Sequence, residues 1–182
     1  MTRIKCMLAT LAALLIGGCN TAIPDGMQAV EDFELDRYLG RWYEVARLDH
    51  SFERGLSDVT AHYSLRDDGS VKVVNRGYNS EEDEWEEATG RAKFIGEEDV
   101  GSLKVSFFGP FYGGYHVVAL DQDGYEWSMV VGPDREYLWI LARSPTLPDD
   151  VLEPLLQKAQ DNGFDTDELI WVSHDHSADN KP

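Results

Sequence analysis

The side chains able to do chemistry are unevenly supplied: 34 Asp or Glu, 16 Lys or Arg, 5 His and 2 Cys in 182 residues. No G-x-S-x-G elbow, H-E-x-x-H pair or phosphate-cradling glycine loop occurs, so no acyl-enzyme serine, zinc hydrolase or nucleotide site is indicated. Glu44 falls two residues after Trp42 on a parity that turns it inward. A buried acid needs a hydrogen-bonding partner, and a structural role is expected for it rather than proton transfer. His62 lies on a polar parity and is expected to face outward, which removes the other candidate general base. His174-Asp175-His176 has ligand chemistry but sits in a polar stretch, where solvation is expected. Glu81-Glu82-Asp83-Glu84 with Glu86-Glu87 reads as a solvated hairpin tip around Trp85, with no glycine turn to wrap calcium. No catalytic residue, metal or cofactor is expected.

Both cysteines lie near the start. Arg3 and Lys5 form a positive n-region, residues 7–16 an apolar run too short to span a bilayer, and Gly17-Gly18 put small residues before Cys19. This is the pattern of a signal peptide over 1–18, and Leu15-Ile16-Gly17-Gly18-Cys19 resembles a bacterial lipobox. The resemblance implies a diacylglyceryl thioether on Cys19, cleavage before it and acylation of the new amine. Asn20, where an inner-membrane retention signal has Asp, favours the outer membrane, facing the periplasm. Cys6 leaves with the signal and Cys19 becomes a thioether, so no disulfide, thiolate metal site or cysteine nucleophile is available. Losing Arg3 and Lys5 makes a chain of net charge -18 still more acidic. Such a surface repels phosphate backbones and offers lipid no polybasic patch, so nucleic acid is excluded and membrane attachment rests on Cys19.

These residues need a scaffold. At 42% hydrophobic and 11% aromatic the chain is too apolar for an acidic disordered tail, and its length suits one domain. Residues 19–32 hold Pro24, Gly26 and few large apolar side chains and are expected to be a lipidated tether. Order is expected over 33–172, followed by a polar tail over 173–182. Short runs rich in Val, Tyr, Phe and Trp at 42–48, 59–66, 71–78, 85–94, 103–108, 115–120, 125–131 and 137–143 predict eight antiparallel strands. Asp67-Asp68-Gly69 and Asp121-Gln122-Asp123-Gly124 mark two of the turns. Period-two phasing puts Ala61, Tyr63, Leu103, Val105 and Phe107 on inner faces, with Gly90 and Ala92 as small residues that leave room. Eight meandering strands close into a barrel able to hold one small ligand. A helix is expected over 149–162, its apolar stripe of Val151, Leu152, Leu155, Leu156 and Ala159 packed outside strand 137–143.

The segment Leu39-Gly40-Arg41-Trp42-Tyr43-Glu44-Val45-Ala46-Arg47 resembles the lipocalin signature G-x-W-[YF]-E, with Gly132 to Tyr137 and Arg143 at the family's other two motifs. The stretches 49–56, 105–115 and 137–141 are similar to those of the bacterial outer-membrane lipocalins. The resemblance implies an all-β, up-and-down barrel with an external C-terminal helix. Independently, Trp42 is expected to plug the narrow end under the Arg143 guanidinium, with Gly40 allowing the backbone close to that arginine.

The expected cavity wall is Ala61, Tyr63, Val73, Asn75, Gly90, Ala92, Leu103, Val105, Phe107, Tyr115, Val117, Tyr137 and Trp139. The mouth is expected to carry Phe52 and Leu56 as a lid and Arg54 to meet an anionic head. An apolar tube of this kind suits an acyl chain, and the resemblance implies a fatty acid or lysophospholipid held at the periplasmic face. The alternatives are a lipid-acting enzyme using Glu44, or a haem- or pigment-binding barrel. A homodimer is compatible with the sequence.

Overall fold

The computed structural model describes residues 20–176. The signal peptide and the lipidation expected at Cys19 lie outside the described residues. Eight antiparallel strands close on themselves: β1 (Gly40–Arg47), β2 (Leu56–Leu65), β3 (Val71–Asn79), β4 (Glu84–Phe94), β5 (Ser102–Ser106), β6 (Gly113–Leu120), β7 (Trp127–Val131) and β8 (Leu138–Ala142). β1 closes the ring by pairing β2 through its first half and β8 through its second, with a register shift between Glu44 and Ala46. This is the barrel expected from the spacing. A one-turn helix α1 (Leu35–Tyr38) precedes it, α2 (Asp149–Asp161) follows it, and β9 (Ile170–Trp171) adds to the outer end of β1.

Hairpin chemistry sets the strand ends. Gly69 takes φ +77° in the β2–β3 turn, and Arg66 and Ser70 pair across it at 2.8 Å. Asp121 accepts from the backbone N–H groups of Gly124 and Glu126, each at 3.2 Å. That turn holds Tyr125 at φ +56° and directs its ring into the core, so β7 begins at Trp127 rather than at 125.

The molecule has two apolar layers. Outside the barrel, Leu155 and Ala159 of α2 pack with Met129, Val131, Leu138, Ile140 and Ala142 from β7 and β8. Trp139 and Leu141 of β8 belong to the inner layer, as the two-sided apolar pattern of that strand implies.

The narrow end is built around Trp42, which is fully buried and donates its indole N–H to the Tyr38 carbonyl at 2.7 Å. The Arg143 guanidinium lies 3.9 Å from the Trp42 ring and donates to the carbonyls of Tyr125, Arg41 and Arg37. Gly40, at φ +95°, passes close enough that a Cβ there would stand 3.5 Å from Arg143 Nη1. Arg143→Ala removes the ring contact and three charge-assisted bonds, and a loss of about 2 kcal/mol is expected because water can reach those carbonyls. An unchanged urea midpoint would contradict this.

Two expected boundaries differ. Residues 20–32 are not a free tether: Val30 N–H donates to Val117, Gly101 N–H to Val30 and Gly114 N–H to Asn20, at 2.8, 2.9 and 3.1 Å. Met27 is buried against the outer core. The segment has few large apolar residues, and backbone pairing along the barrel compensates for their scarcity. The start of the polar tail also docks. Asp58 N–H donates to the Ser173 carbonyl at 2.7 Å, and the His176 ring stacks on Tyr78 at 4.0 Å.

Candidate functional site

The loops after β1, β3, β5 and β7 surround the open end, opposite Trp42. Inside it the barrel encloses a cavity in two connected parts. An inner chamber of ≈ 90 Å³ runs toward the closed end, and a vestibule of ≈ 570 Å³ leads to the mouth. The vestibule alone falls within the roughly 300–1,000 Å³ of small-molecule sites. Phe52, Glu53, Val59, Asn75, Val105, Phe107, Gly114 and Trp139 line both parts, so the two form one passage.

Ala61, Tyr63, Val73, Asn75, Ala92, Leu103, Val105, Phe107, Tyr115 and Trp139 stand on the inner wall. Three expected wall residues are placed otherwise. Gly90 has the inward parity but lies under Phe107, whose ring would come within 2.9 Å of a Cβ. Val117 is fully buried in the packed closed half with Phe33. Tyr137 lies just before β8 and lines only the vestibule.

At the mouth, Phe52 lines both parts and Leu56 the vestibule, from the first position of β2 rather than from the loop. Arg54 does not line the cavity. Its Nε and Nη2 bind Asp49 Oδ2 at 3.0 and 2.7 Å in an exposed pair, so its charge is matched within its own loop. His62 is exposed on the outer face.

Beyond the expected wall residues, Phe33, Leu35, Tyr38, Val59, Thr60 and Val71 also line the inner chamber, as does Leu141, which shares the inward parity of Trp139. Tyr38 comes from α1 and joins a line of hydroxyls: Tyr63 to Tyr115 at 2.8 Å, Tyr115 to Tyr38 at 2.8 Å and Tyr38 to Ser128 at 3.0 Å. Burial pushes the Tyr38 phenol up to about 12 and those of Tyr63 and Tyr115 well above 10. The line stays neutral, and its members satisfy one another, so the inner chamber presents a ligand with a mainly apolar surface. Asn75 Oδ1 is a buried acceptor on this wall with no partner among the described residues.

One side of the wall is charged. Glu44 is buried, as its parity implies, and accepts from Arg47 Nη1 at 2.6 Å. Arg47, only 1% exposed, also donates to the Glu53 and Leu56 carbonyls at 2.8 and 3.2 Å, holding the β1–β2 loop to β1. Glu53 folds back into the cavity, 3.1 Å from His50 Nε2 and 3.2 Å from the Trp139 indole nitrogen. Burial, and then the Glu53 charge, push the Glu44 carboxyl well above 4.5 against the pull of Arg47. Burial raises Glu53 as well, but bonding and charge from His50, the Trp139 indole and Arg47 outweigh it and leave that carboxyl below 4.5.

These opposite shifts separate in pH. A raised carboxyl stabilises the fold below its unfolded value, and that contribution is lost as pH rises through the folded value. A depressed one loses its contribution only as pH falls below about 4.5, so in a comparison of the parent with a Glu44 variant the range above about pH 5 reports on Glu44. Glu44→Gln is therefore expected to gain relative to the parent as pH rises across that range, measured as paired urea midpoints. A constant difference would mean that Glu44 titrates as an ordinary acid.

The lipocalin-like domain profile matches residues 33–174. The chain is 51% identical over 168 residues to outer membrane lipoprotein Blc of Vibrio cholerae serotype O1, covering 92% of this chain and 98% of that protein. It is 50% identical over 173 residues to outer membrane lipoprotein Blc of Escherichia coli K12, covering 94% and 97%. Among solved structures, insecticyanin of the tobacco hornworm Manduca sexta superposes with a TM-score of 0.67 at 20% identity, covering 84% of this chain and 87% of that one. That likeness concerns the fold alone.

Proposed function

Because the chain belongs to the lipocalin-like domain family, we propose that it holds the acyl chain of a fatty acid or lysophospholipid in its barrel while Cys19 tethers it by lipid to the outer membrane. The outer membrane is its location, as for the two bacterial relatives. The role that fits is lipid storage, transport or envelope maintenance. One observation carries the reading: a continuous passage whose inner wall is mostly aliphatic and aromatic, with its carboxylates Glu44 and Glu53 confined to the side held by Arg47. An acyl chain gains roughly 0.8 kcal/mol for each methylene it buries there, and its head stays in the vestibule near water.

An enzyme acting on a lipid would use Glu44, which does stand on the inner wall. Its carboxyl is tied to Arg47 at 2.6 Å, which favours a structural role. Native mass spectrometry of the purified protein tests the proposal. A bound fatty acid or lysophospholipid is expected, and a coloured protein carrying haem or another pigment would overturn it. Anchoring is tested separately: Cys19→Ser is expected to move the protein from the outer-membrane fraction to the soluble one. Retention in the pellet after a salt wash would refute lipidation at that cysteine.

A further inference from the structure

We propose that the open end of the barrel rests against the lipid surface that holds the anchor, so that the cavity opens onto the bilayer rather than into bulk water. The inference relies on lipidation at Cys19 and goes beyond it by fixing the orientation of the barrel. Gly114 N–H donates to the Asn20 carbonyl at 3.1 Å, and Gly114 lines both parts of the cavity near the start of β6. From there the N-terminal segment runs down the barrel wall toward the closed end, pairing with Val117 through Val30 and with Asp99 through Phe33. The first described residue is therefore at the mouth, and Cys19 is one peptide bond from it. A lipid attached at Cys19 draws this rim, and not the Trp42 end, to the membrane.

The same rim carries apolar surface that the fold leaves uncovered. Phe108 is 81% and Phe111 66% exposed in the β5–β6 loop that leads into Gly113–Gly114, and Phe52 is 56% exposed across the vestibule. All three line the vestibule. Aromatic side chains at a lipid-facing edge bury their rings among acyl chains and headgroups, where large isolated apolar groups are best accommodated. Glu86 and Glu87 stand on the β4 side of the vestibule. The rim is thus two-sided, and contact falls on the side where Asn20, Phe108 and Phe111 lie together. Neither Phe108 nor Phe111 lines the inner chamber, so they are free to act outside it.

The mature chain has no cysteine besides Cys19, which makes site labelling possible. Phe108→Cys, Phe111→Cys and, at the closed end, Leu65→Cys are each labelled with an environment-sensitive dye in the full lipidated protein. Leu65 is 54% exposed and serves as the water-facing reference. The proteins are reconstituted into phosphatidylcholine vesicles containing nitroxide-bearing lipid. Loss of most fluorescence at 108 and 111, with none at 65, is expected. Vesicle-bound protein whose labels at 108 and 111 escape quenching would overturn the orientation while leaving the anchor intact. So would close approach of those labels in two copies, because a second copy would then cover the rim. Failure of the protein to float with vesicles would remove the Cys19 anchor and the orientation with it.

Discussion

Arg47→Met is expected to destabilise the protein by about 3 kcal/mol or more, because it strips the donor from three buried or part-buried acceptors at roughly 1–3 kcal/mol for each group left unpaired. Methionine fills much of the arginine volume, so the loss comes from the groups left behind. Glu44 loses the cation 2.6 Å away, and the Glu53 and Leu56 carbonyls lose their donor. Glu44 cannot turn to water, because the barrel wall encloses it. Replacing both members, as Arg47→Met with Glu44→Leu, is expected to recover only the share of the loss that the Glu44 carboxyl contributes, since the Glu53 and Leu56 carbonyls stay without their donor. Urea denaturation of both variants checks this. A single-variant loss below about 1 kcal/mol, the scale of an exposed pair, would mean that water enters the cluster. The β1–β2 loop should loosen in the single variant, because two of the three Arg47 bonds hold that loop, and amide exchange from 53 to 56 should quicken.

That cluster also marks the limit of what the sequence makes legible. Period-two alternation fixes which side chains share a face, and Ala61, Tyr63, Val73, Leu103 and Val105 accordingly line the cavity. Parity says nothing about height along the barrel or about the neighbour across the strand. Val117 has the inward parity but sits in the packed closed half, and Gly90 lies under Phe107, one step beyond the Arg91–Ser106 pair. Polar loop residues are harder still. Nothing in Asp49-His50-Ser51-Phe52-Glu53-Arg54 distinguishes Arg54, exposed and paired with Asp49, from Glu53, buried against His50 and Trp139. The difference arises from the turn at 51–55, which swings one charge outward and the next inward. The order of the N-terminal segment is hidden for a related reason: it depends on backbone bonds to Val117, Gly101 and Gly114, and backbone groups leave no trace in composition.

The inner chamber should be the part of the site that measures chain length. Ala92, 4% exposed on β4, faces it between Val71 and Val105, and both cross-strand partners are branched and packed. Ala92→Phe places a ring in a space of only ≈ 90 Å³ while leaving the vestibule, which Ala92 does not line, unchanged. A long acyl tail would lose the last three or four methylenes it buries, about 2.5–3 kcal/mol at roughly 0.8 kcal/mol each, or on the order of a hundredfold in affinity. A short amphiphile whose tail ends in the vestibule has little to lose and should bind within about twofold of the parent. Overpacking adds its own cost of about 1–3 kcal/mol, so near-ultraviolet circular dichroism must first show that the aromatic environment of the fold persists. The contrast between chain lengths then separates a filled chamber from a damaged protein, because general loosening would weaken both ligands alike. Titration of a fluorescent fatty-acid series decides it. If a folded Ala92→Phe protein kept the parent's preference for long chains, the tail would not reach the chamber, and the vestibule walls of Phe107, Tyr137 and Trp139 would have to supply the binding energy.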